Sequence, residues 1–349
     1  MMADSAASHR SAAEHSAAEG ELSQLDSPQD YTGFAIDVLP TYGFGPGATC
    51  QLINLSENGT FRVTEGDRTA ILRVHREGYH SPTAIESELA WIDALRSDVG
   101  VPTPVPIPAL DGRRVVQASY GGRIRNAVLF ESLPGREPPA DDFSARFELL
   151  GQITARMHEH TRTWQRPSWF SRFAWDWDST LGATPRWGRW QDGLGLGPAE
   201  LEVLGRAAAL LGDRLAAFGT GPERFGLVHA DLRLANLLLD GDDVAVIDFD
   251  DCGDGWHLYD LGTAVSFIED DPRVPAWCDA WVSGYRSIRA LPSADEAEIQ
   301  SFVWLRRLML VAWIGSHSTT DLAREMGAAF TAASCDLAER YLSTMPAPR

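Results

Sequence analysis

The spacing of apolar positions divides the chain. Residues 1–30 carry Ala, Ser, Glu and His without periodicity and read as a disordered tail. From 31 to 131 the apolar positions fall in short runs separated by turn residues, the texture of β-strands. Residues 50–55 and 60–64 predict strands around the turn Ser56-Glu57-Asn58-Gly59, and 70–75 predict a third. Residues 83–96 switch to helical spacing, with Ile85, Leu89, Ile92 and Leu95 on one face and Ser81-Pro82 marking the start. A proline-rich connection over 101–108 precedes a strand at 125–131, which ends in the hinge-like Ser132-Leu133-Pro134-Gly135. Beyond about residue 141 the spacing is helical: 143–160, 200–218, 259–268, 276–287, 296–316 and 321–342 predict helices. An irregular segment holding Trp164, Trp169, Trp175, Trp177, Trp187 and Trp190 interrupts them, and no internal repeat is visible. The expected fold is α+β and bilobal: a strand-rich first lobe with one helix over 31–131, and a mainly helical second lobe over 132–349.

Composition narrows the chemistry. At 349 residues, 44% hydrophobic and 23% charged, the chain can build two cores. A net charge of −19 argues against nucleic acid and anionic membrane surfaces as partners, and favours a neutral or cationic small molecule. All 30 basic residues are arginine, so a lysine-bearing P-loop and lysine Schiff-base chemistry are excluded. The four cysteines, Cys50, Cys252, Cys278 and Cys335, are far apart and predict reduced thiols rather than a zinc or disulfide framework. No apolar run approaches the ~20 residues of a membrane helix, and no signal-peptide core is visible. A cytoplasmic location is expected.

One stretch concentrates the polar chemistry. A short apolar lead-in ends at His229 and Asp231; Asn236 follows five residues later; two apolar runs around the turn Asp240-Gly241-Asp242-Asp243 then end at Asp248. An aspartate, an asparagine five residues on and a second aspartate beyond a hairpin form the catalytic-loop and metal pattern of phosphoryl-transfer enzymes built like protein kinases. Asp231 is the candidate base, and Asn236 and Asp248 offer hard oxygen donors suited to Mg2+. His229 is placed to order the loop by bonding backbone near Asp248, and Asp260, in Tyr-Asp-Leu-Gly, to brace it.

The remaining parts are distributed. Arg73, mid-strand, is the candidate cation for nucleotide phosphates, with Glu88 on the next helix as its orienting partner and Glu86 as the competitor. The turn with Ser56, Asn58 and Gly59 would lie over the phosphates. Residues 129–133, with Glu131 and Leu133, would read the adenine through backbone groups. Asp250 and Asp251, beyond the metal motif, are candidate partners of a substrate amine. Trp175 and Trp177, interleaved with Asp176 and Asp178, are candidate walls for a cation.

The motifs H-A-D-L-R-L-A-N (229–236), V-I-D-F-D-D (246–251) and Y-D-L-G (259–262) resemble those of the aminoglycoside phosphotransferase and choline kinase-like family. I-L-R-V (71–74), F-E-S-L-P-G (130–135) and L-L-G-Q-I-T-A-R-M-H (149–158) resemble its third strand, hinge and first long helix of the second lobe. Within that family the chain looks closest to bacterial phosphotransferases grouped with type II homoserine kinases and stress-response kinases. The resemblance implies ATP, Mg2+ and a bilobal fold, and a phosphotransferase with an alcohol group as acceptor. Arg73 replaces the lysine of protein kinases, the metal motif reads D-F-D, and no A-P-E segment follows. These departures favour a small hydroxyl acceptor, either an amine, amino acid or amino alcohol or an aminoglycoside-type antibiotic. A stress-response-type protein Ser/Thr kinase and a non-catalytic nucleotide-binding regulator are the alternatives.

Overall fold

The computed structural model describes residues 27–55, 58–138, 143–241, 243–318 and 321–348. Contacts divide the chain into two compact units, one of residues 1–82 and 105–132 and the other of 83–104 and 133–349.

The first unit is an antiparallel sheet. Strands β1 (Thr49–Leu55), β2 (Gly59–Glu65), β3 (Arg68–Val74), β4 (Pro106–Ile107), β5 (Val116–Tyr120) and β6 (Arg123–Glu131) are ordered β1-β2-β3-β6-β4, with β5 also paired to β6. Alternation places Phe61, Val63, Ala70, Leu72, Val74, Ala127 and Leu129 in one core. Helix α1 (Pro28–Val38) closes that core with Tyr31, Phe34, Ala35 and Val38. Its start is specified locally: the Ser27 hydroxyl accepts from the Asp30 N–H at 3.2 Å, and Pro28 opens the helix. The expected tail therefore ends earlier than residue 30, and residues 1–26 lie outside the described residues. Strands β4 and β5 were not expected.

The second unit contains α2 (Pro82–Val99), α3 (Phe143–Thr163), α4 (Pro198–Phe218), α5 (His257–Ala264), α6 (Val274–Arg286), α7 (Ile299–Ser316) and α8 (Asp321–Thr344). A three-stranded sheet of β7 (Ala174–Trp175), β11 (Gly253–Trp256) and β8 (Phe225–Val228) and a hairpin of β9 (Leu237–Asp240) and β10 (Asp243–Val246) complete it. Helix α2 takes its contacts here: the Ser87 hydroxyl accepts from the Ser171 N–H at 2.8 Å, and Trp91 meets Phe249 edge-on at 5.4 Å. Helices α3 and α6 touch backbone to backbone, because a Cβ at Gly284 would lie 1.9 Å from the Glu148 carbonyl and one at Gly151 2.1 Å from that of Trp281. Helix α7 is apolar on every side and almost wholly buried, which makes it the central helix of this unit. No described helix is long and apolar enough to cross a membrane.

Candidate active site

Strand β8 delivers the chain to His229, and the loop that follows is held by α5. The Asp260 carboxylate, with no exposure, accepts the backbone N–H of His229 at 3.2 Å and of Ala230 at 2.7 Å. It also faces Nε2 of buried His158 at 2.9 Å, while His158 Nδ1 lies 3.0 Å from the Tyr285 hydroxyl. Burial lowers the His158 pKa well below the usual value, so a neutral ring donates from Nε2 and accepts at Nδ1. The Thr263 hydroxyl takes the Leu232 N–H at 3.0 Å. This clamp keeps Ala230 at φ 66°, a left-handed conformation that alanine rarely adopts.

The His229 ring ties the loop to the hairpin. Its Nε2 lies 3.1 Å from the Ile247 carbonyl, and Nδ1 accepts the Asp231 N–H at 3.3 Å. Burial lowers its pKa against the pull of Asp260 and Asp231, so the imidazole is neutral and donates to Ile247. A second tie runs from the Ile247 N–H to the Asn236 carbonyl at 2.9 Å, fixing the backbones that carry Asn236 and Asp248. Asp248 itself has φ 64°, and the next residue, Phe249, sits between the rings of His229, at 4.5 Å, and Trp91.

Asp231 has a donor on each oxygen. Arg306 Nη2 reaches Oδ1 at 2.7 Å; Asn236 Nδ2 reaches Oδ2 at 3.0 Å and Arg233 Nε the same oxygen at 3.3 Å. Burial acts to raise the carboxyl, yet the guanidinium groups of Arg233 and Arg306 and the Asn236 amide together hold it below the usual carboxylate range. It is therefore an oriented carboxylate at neutral pH.

Asn236 spends its amide nitrogen on Asp231, on the carbonyl at 2.7 Å and on Oδ2. Both partners are acceptors, which fixes the amide orientation and leaves Oδ1 without a donor among the described residues. Asn236 Oδ1 and the Asp248 carboxylate are hard oxygen donors. The described residues contain no group of three or more His, Cys, Asp or Glu that could hold a metal. A cation here would complete its shell with water and phosphate oxygens, which is how Mg2+ is commonly bound, so the donor set fits that ion.

The segment beyond Asp248 is anchored by residues that motif reading missed. Arg172 donates from Nε to the Cys252 carbonyl at 2.6 Å, from Nη1 to that of Ala84 at 3.1 Å, and from Nη2 to that of Asp250. One guanidinium thus joins the metal motif to the start of α2. Trp175 is wholly buried; it gives its indole N–H to the Asp251 carbonyl at 2.8 Å and packs against the rings of Trp187 and Tyr259. Trp177 is partly buried, with its ring packed at Gly212 of α4. Asp250 is buried and Asp251 partly so; Asp251 acts on the ionisation of Tyr259 and of Arg306 and so lies near the Asp231 cluster. Glu88 is buried and acts on the ionisation of His229 and Cys252.

In the first unit, Arg73 is buried in β3 with its guanidinium 5.3 Å from the Phe130 ring centre. The Asn58 side chain is turned to the backbone, accepting the Arg76 N–H at 2.9 Å. Gly59 is needed where it stands, because a Cβ would lie 2.5 Å from the Tyr31 ring. Ser56 lies outside the described residues. Glu131 is exposed and gives its N–H to the Val105 carbonyl at 2.9 Å. Leu133 is partly buried in the second unit.

The fold is the bilobal architecture of the aminoglycoside phosphotransferase and choline kinase-like phosphotransferases, as the motifs implied. The chain belongs to the phosphotransferase enzyme family, whose model matches residues 49–296. The solved structure of a microcompartment-associated aminopropanol kinase is 52% identical, with a TM-score of 0.84, covering 89% of this chain and 97% of that one. An uncharacterized protein of Deinococcus radiodurans is 31% identical over 306 residues, 86% of each chain. The amicoumacin kinase of Bacillus subtilis is 25% identical over 295 residues, 80% of this chain and 83% of that one.

Proposed function

We propose that the protein transfers the γ-phosphate of ATP to the hydroxyl of a small amino alcohol of the aminopropanol kind. The observation that carries the chemistry is the Asp231 carboxylate, ionised and held on both oxygens beside Asn236, whose Oδ1 is left for a cation. The support for the acceptor class is the 52% identity to an aminopropanol kinase.

Asp231 orients the acceptor hydroxyl. As its oxygen bonds to the γ-phosphorus, the bond from phosphorus to the β–γ bridging oxygen breaks and that electron pair leaves with ADP. The hydroxyl proton passes to Asp231. Mg2+, held by Asn236 and Asp248, would supply charge neutralisation on the phosphates. Arg73 and the turn at Asn58 and Gly59 are assigned to the phosphates, the backbone of Glu131 and Leu133 to the base, and Asp250 and Asp251 to the acceptor's ammonium. Similarity to an amicoumacin kinase supports a second reading, a larger amine-bearing antibiotic as acceptor.

The test is a panel of amino alcohols, hydroxy amino acids, aminoglycosides and casein-like proteins with ATP and Mg2+, read by ADP release. Turnover strongest on a short amino alcohol is expected. Phosphate appearing only on protein would overturn the reading.

A further inference from the structure

We propose that Arg306 is the positioning residue for the Asp231 carboxylate, an inference that rests on the phosphotransfer reading above. Arg306 stands on α7, and its guanidinium is nearly without exposure. Every edge of it is engaged. Nε donates to the Ser266 hydroxyl at 2.8 Å, Nη1 to the Tyr259 hydroxyl at 3.2 Å and Nη2 to Asp231 Oδ1 at 2.7 Å, while the carbon of the guanidinium lies 4.9 Å from the Trp187 ring centre. Asp231 is the carboxylate that ion-pairs with it.

This arrangement suits placement more than bond-making strength. A short carboxylate has two rotatable bonds, and transfer needs its oxygen within a few tenths of an ångström of the hydroxyl proton. Arg306 pins Oδ1 from a rigid central helix, and Asn236 holds Oδ2 from the loop. Together they fix the carboxylate plane, and with it the direction from which an acceptor hydroxyl meets Asp231. A neighbouring guanidinium makes a carboxylate a weaker base. That loss matters little where the transition state is loose and the hydroxyl proton leaves late. A misplacement of about 1 Å, by contrast, costs on the order of 100-fold in rate.

The experiment uses full-length Arg306→Ala and Arg306→Lys, each checked for cooperative unfolding, with kcat and the KM values for ATP and for the best wild-type acceptor. Expected is a fall in kcat of roughly 100-fold in the Ala variant with the ATP KM within about twofold. Millimolar guanidinium should restore part of that loss, and lysine should retain part of the rate. An unchanged kcat, or an effect confined to the acceptor KM, would overturn the proposal. A crystal structure of Arg306→Ala gives a reading independent of acceptor: an Asp231 carboxylate displaced from its wild-type orientation is expected, and an unmoved one would also overturn the proposal. If the wild type phosphorylates no small hydroxyl, the function reading fails, and the structure of the alanine variant still decides the role of Arg306.

Discussion

Replacing Asp260 by asparagine tests whether the catalytic loop is held by one buried carboxylate. Asp260 takes three donors, the N–H groups of His229 at 3.2 Å and Ala230 at 2.7 Å and Nε2 of His158 at 2.9 Å. An asparagine of the same shape keeps one acceptor oxygen and turns an NH2 toward the donors of the other. Placed with its oxygen toward His229 and His158, it leaves the Ala230 N–H facing an NH2 in a dry site. A buried unsatisfied donor costs roughly 1–3 kcal/mol, and the lost charge assistance adds to it, so the rigid limit is roughly 2–4 kcal/mol. The loop has a way to escape: Ala230 is strained at φ 66°, and relaxing it returns about 1–3 kcal/mol. Relaxation moves the next residue, Asp231. The variant should therefore lose either stability, roughly 3–6 °C in Tm, or rate, on the order of 100-fold in kcat. Differential scanning fluorimetry and steady-state kinetics on one preparation read both. An Asp260→Asn protein with kcat within about twofold of wild type and an unchanged Tm would refute the bracing argument.

Asp231→Ala should keep ATP affinity within a few-fold and abolish transfer; calorimetry and ADP release check the two halves, and normal turnover would remove Asp231 from the chemistry. Asp248→Ala should remove the Mg2+ dependence of ATP binding, and affinity that still responds to Mg2+ would contradict the donor set. Acid should destabilise the fold early. Burial holds His158 and His229 below their usual pKa and His257 down to about 2, so below about pH 6.5 the unfolded chain binds protons that the folded one refuses. Each such histidine takes away up to about 1.4 kcal/mol per pH unit on acidification below that pH, opposed by the buried carboxyls of Asp260 and Glu269, whose pKa burial raises; with three histidines against two carboxyls, urea unfolding at pH 7.5 and 5.5 should show a net drop, and equal midpoints would refute it. Gly284→Ala places a Cβ 1.9 Å from the Glu148 carbonyl and should cost at least ~1–3 kcal/mol by forcing α3 and α6 apart, visible as a lower Tm with unchanged KM for ATP.

Much of the architecture is legible because apolar period changes from two to 3.6 near residue 141, and because the hairpin turn and the prolines punctuate it. Helix α1 escaped because Ser27-Pro28-Gln29-Asp30, a cap with proline at the first helical position, follows an uninformative polar tail. Strand β5, Val116–Tyr120, is bounded by Gly121-Gly122, a turn signal that was available. Asp231, Asn236 and Asp248 could be singled out because all three flank one hairpin within a contiguous stretch. Arg306, 75 residues from Asp231, and Arg172, 78 from Asp250, act across the fold, where no local spacing records them. For Arg306 a signal did exist: Arg306-Arg307 are charges inside a helix apolar on all sides, and a buried charge requires a partner. Arg307 meets the same demand at Glu269, 2.8 Å away, which draws one of the acidic residues beyond the motif into a buried ion pair.

The most direct measurement is the product itself. Incubating the protein with ATP, Mg2+ and 1-amino-2-propanol, and recording the phosphorus spectrum and mass of what forms, should give a phosphate ester on the hydroxyl with one ADP released per ester. ADP release without an ester across the amino alcohol panel, or label found only on protein, would contradict phosphoryl transfer to a small amine-bearing alcohol.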